Sequence, residues 1–218
     1  MIYAGSRIVN NWIYPIDKGY VLIDTGYESG FAHFKKQLAK MQIAPQQIQY
    51  IFYDDHAGYL NEILSGCSDI QMIMSDKALE RLYRGQNSFH GGCTTKIALF
   101  FCSLMKFVGK GKHLFPPIKQ EYSCRCIQVT KQNRKEMELL LQGKIIDTPG
   151  HTADSISLLL NDGSLFCGDA AMNGLPSLHR ITIWAEDKTA FLKSWETIIA
   201  HRPNLIYPGH GKPFGYDD

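Results

Sequence analysis

Two short apolar runs with a helical pattern between them organise the first part of the chain. Tyr20–Asp24 and Ile48–Tyr53 are mainly apolar, as buried strands are. Between them, apolar residues recur at spacings of three and four, with lysines at intervening positions, which predicts an amphipathic helix. These apolar residues are Phe31, Phe34, Leu38 and Met41. The succession of strand, helix and strand predicts a crossover unit with two parallel strands.

Further strands and a second amphipathic helix follow in the later part of the chain. Segments 127–129 and 137–141 alternate into 144–147, which predicts strands. Asp162-Gly163 between two apolar runs predicts a tight hairpin. The apolar side of Ala190–His201 predicts a helix. The chain is therefore expected to mix α and β structure.

Residues 87–117 break this pattern. Glycines surround Lys96–Val108, a segment that is apolar on most of its faces. The segment is 13 residues long, too short to cross a bilayer, and its only charges are lysines near its ends, which argues against a membrane-surface helix. We expect a helical insertion whose helix is buried, or lines a pocket or a dimer contact.

The composition is that of a soluble globular protein. Of 218 residues, 44% are hydrophobic and 20% are charged, which suits one domain, or at most two small ones, with a substantial core. We expect a single domain over residues 1–218. The formal net charge of +2 comes without a basic cluster, so we expect no nucleic-acid partner and no membrane partner. Six cysteines without a Cys-x-x-Cys pair, and a start that lacks a signal-peptide pattern, predict a reduced, cytoplasmic protein.

Four apolar runs end close to residues that can bind a metal. Asp55 and His56 follow one run, and His151 lies in Asp-Thr-Pro-Gly-His after another. Asp169 lies in Phe-Cys-Gly-Asp and His210 in Tyr-Pro-Gly-His. Loops that leave strands at one edge of a sheet can bring such carboxylates and imidazoles together from distant positions. The sequence therefore predicts a metal site.

These motifs closely resemble those of the metallo-β-lactamase superfamily, in the same order and across nearly the whole chain. Asp24-Thr25-Gly26, upstream of the others, is part of the resemblance. The resemblance implies an α/β fold arranged as a four-layer αββα sandwich, with a centre for up to two metal ions. The ligands it implies are Asp55, His56 and His210 for the second ion, Asp169 as the bridge, and His151 for the first ion.

The superfamily's first metal motif, His-x-His-x-Asp-His, is incomplete in this chain. Its two leading histidines fall on Ile51 and Tyr53. Ile51 cannot bind a metal, whereas Tyr53 either contacts a metal or its water through the phenol, or only fills the vacated space. We therefore expect one ion rather than two. Carboxylates and imidazoles favour Zn, with Fe or Mn as alternatives.

Two further aspartates adjoin the implied ligands. Asp24 ends its strand and is expected to brace the motif loop rather than to bind metal. Asp54 falls on a variable position of the superfamily motif, so we expect it to face solvent or to cap a backbone group.

The resemblance implies a hydrolase that directs a metal-activated water at a small-molecule ester, thioester, lactone or phosphoester. The candidate catalytic residues are Asp55, His151 and Tyr53, which could orient the water, move its proton or donate to the substrate. A homodimer is a further expectation. The alternative is a non-catalytic member that serves as a metal- or ligand-binding module, which the residues at positions 51 and 53 support.

Overall fold

The computed structural model of the protein describes residues 1–88, 90–107 and 114–217. Position 89 and positions 108–113, all within the predicted insertion, lie outside the described residues. The structure is a mixture of α and β elements, as predicted. The helices are α1 (Phe31–Lys40), α2 (Leu60–Gly66), α3 (Ala78–Arg84), α4 (Lys96–Phe107), α5 (Arg134–Leu141) and α6 (Lys188–His201). The strands are β1 (Ile2–Tyr3), β2 (Trp12–Ile16), β3 (Gly19–Thr25), β4 (Ile48–Ala57), β5 (Gln71–Ser75), β6 (Gly92–Cys93), β7 (Cys126–Val129), β8 (Gly143–Asp147), β9 (Ile156–Leu160), β10 (Ser164–Phe166), β11 (Met172–Asn173), β12 (Trp184–Ala185), β13 (Leu205–Tyr207), β14 (His210–Gly211) and β15 (Phe214–Gly215).

The chain divides into two compact units. The first comprises Met1–Gly85 and Phe115–Gly143, and the second comprises Gln86–Leu114 and Lys144–Asp218. The single domain expected over residues 1–218 stays a prediction.

The first unit is built on a six-stranded sheet in the order β1-β2-β3-β4-β5-β7. Neighbouring strands from β3 to β7 are parallel, and α1 connects β3 to β4. The predicted crossover unit is therefore confirmed. The apolar face of α1 packs into the core of this unit, whose buried residues include Leu22, Phe34, Leu38, Ile51, Tyr59 and Met72.

Strand β4 continues beyond its predicted end at Tyr53 and runs to Ala57. Ile51 and Phe52 are paired with β3 on one side and with β5 on the other, and both side chains are buried. Asp54, which was expected to face solvent or to cap, is instead a buried strand residue whose backbone N–H is bonded to Asp24. The hydrogen bonds of Asp24 extend the strand through residues that look like a polar loop in the sequence.

The second unit contains a five-stranded sheet in the order β15-β13-β10-β9-β8. The predicted hairpin is confirmed, because β9 and β10 are antiparallel neighbours joined by a turn in which Gly163 has a φ of +84°. The buried core of this unit includes Ile146, Leu165, Cys167, Ile198, Ile206 and Phe214.

Segment 137–141 was predicted to be a strand and is instead part of helix α5. Met137 and Leu141 are buried one helical turn apart, whereas Leu139 between them is 79% exposed. Apolar residues at positions i, i+2 and i+4 fit both a strand and a helix over so short a segment. Just before the helix, the side chain of Asn133 hydrogen-bonds to the backbone of residues 128 and 130, which fixes the turn between β7 and α5.

Helix α4 forms as predicted, but the first alternative for it, a buried helix, is wrong, while the lining of a pocket or a dimer contact stays a prediction. Ala98 is its one buried residue, and Phe100 and Phe107 are 73% and 89% exposed. Apolar side chains point to every side of this helix, and a neighbouring element can cover only one stripe. Among the described residues, no helix combines the length and the apolar character needed to cross a membrane.

Candidate metal centre

Two of the candidate ligands follow neighbouring parallel strands of the second unit. Strands β10 and β13 pair in parallel, with Phe166 opposite Tyr207. Asp169 lies in a short 3-10 helix just after β10, and His210 begins β14 just after β13. Because the carboxyl ends of parallel neighbours meet at one edge of a sheet, both side chains arrive at the same place.

Two imidazole nitrogens approach a single carboxylate oxygen at this edge. Nε2 of His210 is 3.5 Å from Oδ2 of Asp169, and Nε2 of His151 is 3.7 Å from the same oxygen. Both distances are too long for a good hydrogen bond. Ligands that each lie about 2.1 Å from a tetrahedral ion are separated by about 3.4 Å. Each of these two distances therefore suits a pair of ligands to a metal ion, with Asp169 common to both pairs.

The ring of His151 is held in the orientation that a metal ligand needs. Its Nδ1 lies 2.8 Å from the carbonyl oxygen of Trp184 and 3.2 Å from the hydroxyl of Thr182. A carbonyl oxygen can only accept, so Nδ1 carries a hydrogen, and in the neutral ring Nε2, which faces Asp169, has the lone pair that a metal needs. Hydrogen bonding of the second ring nitrogen to a backbone carbonyl is typical of histidines that bind metals.

Glycine is required next to His151 because helix α6 passes very close. A Cβ on Gly150 would lie 2.4 Å from the backbone nitrogen of Phe191, and its φ of +136° is unfavourable for other residues. The hydroxyl of Ser194 in α6 also donates to the carbonyl of Pro149. The Pro-Gly-His sequence therefore fixes the loop of His151 against a rigid helix.

One carboxylate oxygen of Asp169 lies in surroundings that suit a cation. Its Oδ1 is buried and has no hydrogen-bond partner among the described residues. A buried, unsatisfied carboxylate oxygen is unfavourable unless a positive group compensates it. Gly209 leaves the space beside it, since a Cβ there would lie 2.4 Å from this oxygen. The residues present therefore fit a bound metal ion.

In the first unit, Asp24 shapes the end of β4. Its Oδ1 accepts from the backbone N–H of Asp54 at 2.8 Å and from that of Asp55 at 3.2 Å. Asp24 has a φ of +53°, which Asp tolerates better than most residues. The expected bracing role of Asp24 matches these contacts.

The next residues of the Asp24 motif also reach this strand end. The hydroxyl of Thr25 donates to the carbonyl of His56 at 3.0 Å. The ring of Tyr27 meets the His56 ring edge to face, with centroids 6.0 Å apart. These contacts hold the backbone and ring of His56, which is buried with Asp55.

Arg81 lies at the same strand end and was not singled out from the sequence. Its Nη1 forms an ion pair with Oδ1 of Asp55 at 3.2 Å, and its side chain is buried. The hydroxyl of Tyr53 donates to the carbonyl of Asp55 at 3.3 Å, a long hydrogen bond. The sequence signal that could have revealed its burial is that Arg81 lies on the same helical face as the apolar residues Ala78 and Leu82.

The structure thus assembles the predicted residues in two groups. In the second unit, His151, Asp169 and His210 come together. In the first unit, Asp55 and His56 lie towards the end of β4, whereas Ile51 and Tyr53 are both buried in the core. The metal-binding and catalytic roles of these residues stay predictions. Thr182 and the carbonyl of Trp184, the partners of His151, carried no sequence signal.

No family model matches the chain. Among curated proteins, 68 residues are 38% identical to a "Beta-lactamase-like protein 2 homolog" of Drosophila melanogaster. This match covers 31% of the chain and 21% of the relative, so it spans about a fifth of that relative's length.

Several solved structures share the fold over nearly the whole chain. TTHA1623 in a di-iron-bound form has a TM-score of 0.66 and 16% identity, over 99% of this chain and 94% of that one. ST1585, an archaeal metallo-β-lactamase superfamily protein from Sulfolobus tokodaii, has a TM-score of 0.62 and 18% identity, over 97% and 77%. A Cronobacter sakazakii metallo-β-lactamase with a HARLDQ motif has a TM-score of 0.61 and 19% identity, over 96% and 74%. The chain therefore has the metallo-β-lactamase fold, and the resemblance drawn from its motifs is confirmed at that level.

Proposed function

We propose that the protein is a metal-dependent hydrolase that acts on a small-molecule ester, thioester, lactone or phosphoester. The observation that carries this proposal is the approach of two imidazole nitrogens to one oxygen of Asp169. His151 and His210 supply the nitrogens, at 3.7 and 3.5 Å from that oxygen. Such a donor set at a strand edge of the metallo-β-lactamase fold supports metal-assisted hydrolysis, although the fold alone does not select the substrate.

The donors fit Zn, with Fe or Mn as alternatives. When bound, the ion would polarise a water molecule. The resemblance, rather than a measured distance, supports Asp55 and His56 as further ligands. One ion is favoured over two because Ile51 offers no donor and is buried in the core.

The chain's own residues would handle the proton and the substrate. Asp55 and His151 are the proposed acceptors for the proton of the attacking water. His151 takes this role when its Nε2 is not bound to the ion, because its Nδ1 hydrogen is already donated to the carbonyl of Trp184. Tyr53 is the proposed donor to the substrate oxygen, a role that requires its buried hydroxyl to release the long hydrogen bond to the carbonyl of Asp55. Unchanged turnover in Tyr53→Phe would remove Tyr53 from the mechanism.

The test is turnover on a panel with one chromogenic substrate of each class: ester, thioester, lactone and phosphoester. We expect hydrolysis of at least one class, loss of turnover with EDTA, and recovery with Zn²⁺. Asp169→Asn should lower turnover by about 100-fold or more. Asp162→Asn is the matched control, because Asp162 lies in the β9–β10 turn, where its Oδ1 accepts from the backbone N–H of Ser164. Turnover that survives both EDTA and Asp169→Asn would contradict the proposal.

The second candidate function is a non-catalytic module that binds a metal or another ligand. The burial of Ile51 and the ion pair between Asp55 and Arg81 favour it, since both depart from an open two-metal centre. This alternative predicts metal binding without turnover of any substrate class. Zn²⁺ titration together with the substrate panel separates it from the hydrolase.

A further inference from the structure

Arg81 places a permanent positive charge inside the first unit. It lies on the packed face of α3, where Ala78 and Leu82 are also buried, and only 5% of the residue is exposed. A guanidinium group keeps its charge in proteins and has no acceptor atom. Its burial therefore requires a negative partner close by.

The guanidinium contacts three successive residues of β4. Nη1 pairs with Oδ1 of Asp55 at 3.2 Å, and Nη2 donates to the carbonyl oxygen of Asp54 at 2.9 Å. Cζ lies 5.5 Å from the centre of the Tyr53 ring, within the range of a cation–π contact. A single side chain thus holds the strand end that carries the candidate ligand Asp55.

The position of this cation coincides with the departure from the superfamily motif. Tyr53 falls where the second histidine of that motif would stand, and Arg81 lies over its ring. The side chains of Asp24, Asp54 and Asp55 are all buried at this strand end. Asp24 bonds two backbone N–H groups, while Asp55 is paired directly with the guanidinium.

We propose that Arg81 is a positioning residue that supplies Asp55 with a fixed positive charge in place of a metal cation. This inference deepens the proposed function and rests on it, since it concerns how Asp55 takes part in metal binding. Asp55 attracts a divalent ion less strongly in this ion pair, because the guanidinium 3.2 Å from its Oδ1 is positive and repels the metal cation. The ion pair therefore weakens the binding of a metal ion by Asp55.

The test is calorimetric titration of the metal-free protein with Zn²⁺, comparing the wild type with three variants. Arg81→Met removes the charge and keeps the aliphatic stem, and Arg81→Lys keeps the charge. We expect Arg81→Met to bind Zn²⁺ at least about tenfold more tightly than the wild type, and Arg81→Lys to stay within about threefold of it. The double variant Arg81→Met with Asp55→Asn should lose the gain, because Asp55 is its source.

A purely structural role for Arg81 predicts the opposite sign, because a disordered Asp55 would weaken Zn²⁺ binding. Equal or weaker binding in Arg81→Met, while the wild type binds Zn²⁺, overturns the inference and leaves the proposed metal site standing. If the wild type binds no Zn²⁺, the proposed function fails. If the wild type binds no Zn²⁺ but Arg81→Met does, the result supports the inference that Arg81 replaces a metal cation. If neither protein binds Zn²⁺, both the proposed function and this inference are overturned.

Arg81→Met also breaks a buried ion pair, which by itself lowers stability. If this variant is unfolded without metal, its circular dichroism is measured again in excess Zn²⁺. Recovery of the wild-type spectrum supports the inference, because a metal cation then replaces the guanidinium. Failure to recover, with Arg81→Lys folded, overturns it.

Discussion

Asp24→Ala is expected to be among the most destabilising single changes in the first unit. The substitution removes the Oδ1 acceptor of two backbone N–H groups, those of Asp54 at 2.8 Å and Asp55 at 3.2 Å. Each buried donor left without a partner costs about 1–3 kcal/mol. The φ of +53° at this position adds about 1 kcal/mol for alanine. The sum is about 3–7 kcal/mol, a large share of the roughly 5–15 kcal/mol by which domains are stable.

Asp24→Asn separates the hydrogen bonds from the charge. Asparagine keeps an acceptor oxygen and tolerates a positive φ, but a charge-assisted hydrogen bond is about twice as strong as a neutral one. We therefore expect a loss of only about 1–2 kcal/mol. Asp76→Ala, at an exposed position, serves as the control and should stay within about 0.5 kcal/mol of the wild type.

Urea unfolding followed by circular dichroism measures all three variants. From most to least stable, the predicted order is Asp76→Ala, Asp24→Asn and Asp24→Ala. A loss of unfolding free energy below about 1 kcal/mol in Asp24→Ala would refute the reasoning. Two buried donors that lose their acceptor cost more than that unless the strand end rearranges.

Three further predictions test other parts of the account. Gly209→Ala should displace Oδ1 of Asp169, which would lie 2.4 Å from the new Cβ, and weaken Zn²⁺ binding about 10–100-fold by calorimetry. Gly66→Ala is its control, because a Cβ at that position has no atom within 4 Å. Equal Zn²⁺ affinities of the two variants would contradict the geometry. Ile51→His should lower the free energy of unfolding by about 2–5 kcal/mol without adding a metal ion, because the side chain is fully buried; a second ion by elemental analysis would contradict this. Phe100→Ser should change the free energy of unfolding by less than about 0.5 kcal/mol, because Phe100 is 73% exposed, and a large loss would show that α4 is covered.

The candidate ligands could be predicted because chemistry and local pattern coincide in them. Asp169 and His210 each follow an apolar run with a glycine beside them, which indicates a turn at a strand end. That β10 and β13 are parallel neighbours could not be read from the sequence, since no local signal records which distant strands pair. The superfamily resemblance supplied that missing link.

The polar contacts that surround these residues were harder to predict. Arg81 stands 26 residues from its partner Asp55, and charge patterns alone do not reveal a pairing over that distance. His151 is oriented by the carbonyl of Trp184, and every residue type offers a carbonyl. Short apolar patterns also remain ambiguous, as the helix that includes Met137 and Leu141 demonstrates.

The most direct test of the central claim is the metal content of the purified protein, measured by elemental analysis without added metal. The account predicts about one Zn, Fe or Mn per chain, lost in both Asp169→Ala and His210→Ala. His33→Ala is the control, because its ring nitrogen contacts the carbonyl of Gly5 and the side chain of Gln37 and it is not among the candidate ligands. Absence of metal from the wild type after reconstitution with Zn²⁺, or full metal content in both ligand variants, would contradict a metal centre built on Asp169.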